Sequence, residues 1–203
     1  MDYQELVKKT EEIARIIIRR KARKILGIYY AVWGFYGLIL ALIYMILDNL
    51  NVESNSLYSI IPLVMVLPFI YYTVRLFSRI STEYMRIIGR ERKSNKQSYV
   101  LWFSLVTLLI ILFILTLHLG IDSIYFIAFF FLYDAFVAFS LYRFLYSKHR
   151  LADPRYYDII AIFSILLVPL GIVSPTLSPV YMIFEISWFY ASINSLLEVS
   201  AIE

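Results

Sequence analysis

Residues 99–119 read YVLWFSLVTLLIILFILTLHL, a stretch that contains no Asp, Glu, Lys or Arg. A helix needs about 20 apolar residues to cross the roughly 30 Å hydrocarbon core of a bilayer. Apolar side chains surround nearly the whole helix in this stretch, so we expect much of its circumference to face lipid. The sequence therefore predicts a transmembrane helix here.

The composition of the whole chain supports the same class. Of the 203 residues, 61% are hydrophobic and 17% are charged, and the mean hydropathy is +0.74. Soluble domains have about half apolar and a quarter charged residues, and a chain this small cannot bury so much apolar surface in one core. The absence of cysteine excludes a disulfide-stapled secreted domain. We therefore predict an integral membrane protein.

Five further apolar stretches resemble residues 99–119 in length and composition. The six predicted spans are 25–47, 57–77, 99–119, 124–146, 156–173 and 179–197. The stretches do not alternate as barrel strands do. The predicted fold is an all-α bundle of six transmembrane helices in three helical hairpins. The fifth span is the shortest and carries Pro169, so spans five and six can instead form one re-entrant hairpin.

The basic residues predict the orientation. All 19 Lys and Arg residues lie in residues 1–24, 75–98 and 143–155, and the other three connections contain none. Basic loops stay on the cytoplasmic side, so we expect both termini in the cytosol and the protein in the cell membrane. This asymmetry also accounts for the net charge of +4, and we expect no specific nucleic-acid partner.

Residues 1–24 form a separate predicted unit, an amphipathic helix at the membrane interface. Apolar side chains recur between Tyr3 and Ile18 at the three-and-four spacing of one helix face. A basic cluster precedes the first span and comprises Arg19, Arg20, Lys21, Arg23 and Lys24. Such a helix binds anionic headgroups or docks a partner protein, and the sequence leaves both open.

The connection after span two is the other predicted contact surface. Helical spacing continues beyond Phe77, and the basic residues of this segment include Arg86, Arg90, Arg92 and Lys93. The segment is a candidate site for a partner or for lipid headgroups. The plain alternative is a solvated cytoplasmic loop.

Two acidic residues within the spans are the main functional candidates. Asp134 lies about 16 Å and Glu185 about 9 Å from the outer ends of their spans at 1.5 Å per residue. No span carries a Lys or Arg at their depth, and an unpaired carboxyl in hydrocarbon favours its neutral form. The two acids would pass a proton or bind a cation. Alternatively, each is a structural group hydrogen-bonded to a tyrosine or serine.

Two polar residues join these acids as candidates. Tyr133 precedes Asp134 in the sequence. Asn194 stands nine residues after Glu185, as Arg143 stands nine residues after Asp134. We include Tyr133 and Asn194 in the predicted transport site.

Span one carries a stripe of small residues, which are Gly27, Ala31, Gly34, Gly37 and Ala41. Small residues let the backbones of membrane helices approach closely. We interpret the stripe as a packing surface and not as a phosphate-binding loop.

Catalytic motifs are absent from the sequence. It contains no HExxH, GxSxG, P-loop or GxGxxG motif and no cysteine-based metal site. The histidines, His118 and His149, fall on opposite sides of the predicted membrane, which excludes haem ligation by both. We expect no enzymatic activity, cofactor or metal.

Two functions fit these observations. The first is a small transporter or channel, or the membrane-embedded subunit of one, with Asp134 and Glu185 on the route. The second is a non-catalytic structural subunit of a larger membrane complex. It would contact its partners through the N-terminal helix and residues 75–98. We expect a homo-oligomer or a complex with other membrane subunits.

Overall fold

The computed structural model describes residues 3–51, 55–87, 96–119, 123–146, 152–173, 177 and 179–201. All the regular structure within these ranges is helical, which confirms the all-α prediction. The helices are α1 Tyr3–Asn49, α2 Asn55–Ile87, α3 Lys96–Leu119, α4 Ser123–Tyr146, α5 Tyr156–Leu167, α6 Leu170–Val173 and α7 Pro179–Ser200.

Four of the described helices are long and apolar enough to cross a membrane. Their spans are Glu12–Asn49, Ile60–Glu83, Ile124–Tyr146 and Pro179–Ser200. Large apolar side chains on these helices point outward, among them Leu132 and Ile186. An apolar exterior of this extent is typical of a membrane-embedded protein.

The predicted count of six spans is not confirmed. The other two apolar helical segments, Val100–Thr116 and Tyr156–Leu167, are shorter. The 12 residues of α5 extend about 18 Å, which is less than the hydrocarbon thickness.

Pro169 divides the predicted fifth span. Proline has no backbone N–H, so it cannot donate the next helical hydrogen bond. The amide of Val168 instead bonds the carbonyl of Ile165 at 3.0 Å, and the amide of Gly171 bonds that of Val168 at 3.1 Å. The chain therefore makes a tight turn between α5 and α6.

The separate interfacial helix predicted over residues 1–24 is also not confirmed. The structure has one continuous helix of 47 residues from Tyr3 to Asn49, about 70 Å long. The segment before Gly27 contains no proline or glycine that would end a helix. The predicted boundary at residue 24 therefore lies inside α1.

The bundle is built around the contact between α1 and α7. A Cβ on Gly27 would lie 2.9 Å from the side chain of Leu196, and one on Gly34 would lie 3.3 Å from the ring of Phe189. These contacts confirm the packing interpretation at Gly27 and Gly34, whereas Ala41 of the stripe is exposed. Helix α7 also packs against α5, α1 against α2, and α4 against α3 and α5.

An aromatic cluster fills the centre of the α1–α7 contact. The indole of Trp188 is buried and lies 5.2 Å from the ring of Tyr29 and 5.3 Å from that of Tyr30, between ring centroids. Its Nε1 donates to the carbonyl of Ala161 at 3.0 Å, which connects α7 to α5. Aromatic pairs at these distances stabilise a core beyond their buried area.

Candidate functional site

Asp134 lies near the middle of α4 with 7% of its surface exposed. Its Oδ2 atom has no hydrogen-bond partner among the described residues. An unsatisfied carboxyl oxygen in a low-dielectric interior is costly, and such a group in a folded protein calls for an explanation. Asp134 is therefore the first candidate for a functional group.

Tyr133, the residue before Asp134, packs against an aromatic side chain of a neighbouring helix. The ring of Tyr133 meets Trp102 of α3 edge-on at 6.4 Å. The structure thus places Tyr133 at the contact between α4 and α3.

Glu185 lies on the side of α7 that faces α1, and it is half-buried. Its carboxyl group rests against the backbone of Gly37, where a Cβ would lie 2.8 Å from the carboxyl carbon. No hydrogen bond among the described residues joins Glu185 to Asp134. Asp134 is thus buried and Glu185 half-buried, and the described hydrogen bonds do not join them.

Asn194 makes a local contact. Its Nδ2 atom donates to the carbonyl of Tyr190, four residues earlier on α7, at 2.7 Å. This bond stays within one helix and points to no second polar group. Asn194 thus has a backbone partner of its own, apart from Asp134 and Glu185.

Four of the five predicted headgroup-binding residues in α1 contact the protein itself. Arg19 lies 3.7 Å from the carboxylate of Asp153, and Lys21 lies 2.9 Å from that of Glu83. Arg20 donates to the carbonyl of Val199 at 3.1 Å, and Arg23 is buried.

Of the remaining predicted basic residues, Lys24 is exposed. The side chain of Arg86 and the whole of Arg90, Arg92 and Lys93 lie outside the described residues.

Arg23 forms a buried ion pair that the sequence analysis missed. Its Nη1 atom lies 3.0 Å from Oδ1 and 2.8 Å from Oδ2 of Asp158. Only 5% of the surface of Arg23 is exposed, and 0% of that of Asp158. Asp158 also accepts from the hydroxyl of Tyr30 at 2.9 Å and from the amide of Arg155 at 2.9 Å. Both oxygen atoms of the Asp158 carboxylate thus accept hydrogen bonds, whereas Oδ2 of Asp134 accepts none among the described residues.

A second acid extends this network to α7. Glu198 accepts hydrogen bonds from Arg155 and from the hydroxyl of Tyr157, the latter at 2.7 Å. Its carboxylate lies 3.6 Å from Nε of Arg23, whose guanidinium carbon lies 5.4 Å from the centre of the Tyr157 ring. The hydrogen bond with Glu198 and its charge raise the pKa of Arg155. We call Arg23, Arg155, Asp158 and Glu198 the charged network.

The sequence held a signal for this network. Asp158 is an acid just inside an apolar stretch, and Arg23 lies just before another. Opposite charges at matching depths of two spans indicate an ion pair. Asp158 also caps the first turn of α5, because its carboxylate accepts from the Arg155 amide.

An open apolar groove of about 460 Å³ lies beside α4. Ile124, Ile127, Phe131 and Leu132 of α4 form one wall, and Pro169 and Leu170 form the other. The break between α5 and α6 thus creates a concave surface without polar groups.

The described side chains contain no group of three or more His, Cys, Asp or Glu residues placed to hold a metal ion. Comparison with known proteins adds no functional information. No family model, curated protein or solved structure matches this chain.

Proposed function

We propose that this protein is a small membrane transporter or channel, or the membrane-embedded subunit of one, and that Asp134 is its proton or cation site. The observation that carries the proposal is the buried Asp134 carboxyl group, whose Oδ2 atom has no hydrogen-bond partner in the part of the chain that the structure describes. Acids inside membrane bundles are expensive, and they mark ion pathways and proton relays. Glu185, half-buried against Gly37, is the second acid of the proposed route.

The proposed topology has six membrane crossings. They are the four long spans, α3 and the α5–α6 segment. Both termini lie in the cytosol. This orientation rests on the basic residues, since the end of the bundle that holds Arg23 also holds Arg155. Exposed basic groups such as Lys24 would there face anionic headgroups.

Flux measurements on the purified protein in liposomes test the proposal. We expect protein-dependent flux of protons or of a monovalent cation, and we expect Asp134→Asn to reduce it to the level of empty liposomes. Asp48→Asn, the same exchange at an exposed position near the end of α1, is the control and should leave flux unchanged. Flux of the Asp134→Asn variant at the unsubstituted level would contradict the proposal.

A second candidate function is a structural subunit of a larger membrane complex, and the first turns of α1 favour it. Ile13, Ile16 and Ile17 are each more than half exposed, and they share one face of the helix. The first buried residues among the described side chains of α1 are Ile18 and Ala22. The three isoleucines form an apolar surface that a neighbouring subunit would cover.

Native mass spectrometry of the protein extracted from its own membranes separates the two candidates. Other proteins bound in fixed stoichiometry would support the structural function. They should be lost when Ile13, Ile16 and Ile17 are replaced by serine. A monomer or homo-oligomer alone would favour transport.

A further inference from the structure

The first turns of α1 carry an apolar face that the bundle leaves uncovered. Ile13, Ile16 and Ile17 are each more than half exposed. The next side chains along the helix, Ile18 and Ala22, are buried. At 3.6 residues per turn, the centres of these two groups lie nearly opposite each other on the helix. The isoleucine face, Ile13, Ile16 and Ile17, therefore points away from the chain's own bundle.

The length of α1 and its charges indicate that this face lies outside the hydrocarbon core. The apolar span of α1 has 38 residues, from Glu12 to Asn49. It is about 57 Å long, whereas the hydrocarbon core is roughly 30 Å thick, so one end projects. The basic cluster that begins at Arg19 belongs at the membrane surface. The projecting end is then the one with the isoleucine face, which water would surround unless another molecule covers it.

The sequence spacing on this face is that of a two-stranded coiled coil. Residues follow each other at intervals of three and four in the order Tyr3, Leu6, Thr10, Ile13 and Ile17. These are the a and d positions of a heptad repeat, which form the seam between two helices. Ile18 and Ala22 then take the b and f positions, on the outer side of such a pair. The helix can thus pack on its own bundle with one side and on a partner helix with the other.

A second copy of this chain is the partner that the membrane itself brings to this face. The basic residues give every copy the same orientation, so the α1 helices of two copies run parallel. The isoleucine face begins about 9 Å beyond Arg23 along the helix axis and extends to about 15 Å. It therefore lies at the same height in both copies. A twofold axis along the membrane normal brings the two faces together.

The charges beside the seam permit this self-pairing. In a parallel pair, the g residue of one helix faces the following e residue of the other. Here Lys9 would face Ala14, and Ile16 would face Lys21. Lys21 also pairs with Glu83 of its own chain at 2.9 Å. Neither contact between the helices sets two like charges against each other.

We propose that two copies of this protein form a parallel dimer in which residues 3–17 of α1 pair as a two-stranded coiled coil, with Ile13 and Ile17 in the seam. Two helices this short would form only a marginal pair in water. Anchoring in one membrane raises the effective concentration of each helix for the other. The dimer depends on membrane insertion, and it does not depend on transport or on Asp134.

Disulfide cross-linking in native membranes tests the dimer. The chain contains no cysteine, so single-cysteine variants have no background. Seam residues of a parallel pair face their own counterparts, and a disulfide needs a Cα separation of about 4.4–6.8 Å. Under mild oxidation, we expect Ile13→Cys and Ile17→Cys to form covalent dimers at least about tenfold faster than Glu12→Cys. Glu12 is the matched control because it is exposed on the same turn but lies outside the seam.

Counting of fluorescently labelled copies in dilute liposomes gives a second readout without cysteine. Single-molecule photobleaching should show two copies per particle for the unsubstituted protein and one for the double variant Ile13→Ser with Ile17→Ser. Glu12→Ser, the control, should remain dimeric. Thermal unfolding in detergent should be the same for all three proteins, since the described buried residues of α1 begin at Ile18.

The results separate this inference from both candidate functions. Equal cross-linking at Glu12, Ile13 and Ile17 would reveal random collisions and overturn the seam. Single copies of the unsubstituted protein in liposomes would overturn the dimer. A different protein held on the isoleucine face in native membranes would overturn it as well and would support the structural subunit. A dimer without flux that depends on Asp134 would instead overturn transport and support this inference.

Discussion

Arg23 of α1 and Asp158 of α5 form an ion pair with 2.8 Å between Nη1 and Oδ2, although 135 residues separate them in sequence. Tyr30, Arg155 and the backbone carbonyl of Asp153 complete the hydrogen bonds of the pair. A buried pair of this kind stabilises only because each charge has its partner. The pair therefore joins α1 to α5.

We predict that Asp158→Asn destabilises the protein by about 3–5 kcal/mol, because Arg23 would remain buried without its counter-charge. Unfolding by SDS in mixed micelles measures the free energy. Asp153→Asn is the matched control, since its carboxylate pairs with Arg19 at the surface, and it should cost less than about 1 kcal/mol. The double variant Arg23→Met with Asp158→Leu should recover much of the loss. Equal effects of the two single variants would contradict a special role for the buried pair.

The ion pair between Lys21 and Glu83 should behave differently. Its side chains are 56% and 34% exposed, so water weakens the attraction. We expect Glu83→Gln to lower stability by less than about 1 kcal/mol. The effect should disappear in about 1 M salt, where charges are screened beyond roughly 3 Å. A large loss that salt does not change would show that the pair is buried.

Alanine at two glycines of α1 should give different results. Alanine normally stabilises a helix by about 1 kcal/mol relative to glycine. At Gly27 the new methyl group would meet Leu196 and the Cβ of Ser195, so Gly27→Ala should cost about 1–3 kcal/mol. At Gly37 it would meet the movable carboxyl end of Glu185, so Gly37→Ala should cost less. Thermal unfolding in detergent compares the two variants, and an equal loss in both would show that Glu185 cannot move aside.

Asp134→Asn should leave stability unchanged or raise it. The substitution removes an ionisable group whose Oδ2 atom has no hydrogen-bond partner among the described residues, and burial penalises the charged form of such a group. Thermal unfolding compares this variant with Asp158→Asn, which should lower stability whereas Asp134→Asn should not. A loss of more than about 1 kcal/mol in Asp134→Asn would show that Asp134 is a structural hydrogen-bonding group.

The sequence was sufficient to predict the helical membrane class and the packing role of Gly27, Gly34 and Gly37, because hydropathy and residue size are local properties. It did not predict that α1 continues through residue 24. Amphipathic and fully apolar segments both form helices, and the change of pattern there does not require a break. It also did not predict the Arg23–Asp158 pair, which depends on how α1 and α5 pack. Pro169 indicated a bend, but its local effect does not determine where α5 ends.

The contact between α1 and α7 has a consequence for synthesis of the chain. The hydroxyl of Ser192 bonds the carbonyl of Gly27 at 2.8 Å, across 165 residues. During translation, α1 emerges before α7, so the surface around Gly27 lacks this contact until α7 has been made. Arg23 likewise lacks Asp158 until α5 has been made. A ribosome-bound intermediate that ends before α5 would therefore expose the stripe and an unpaired arginine, and it would depend on lipid, the insertion machinery or a chaperone to hold α1 in place.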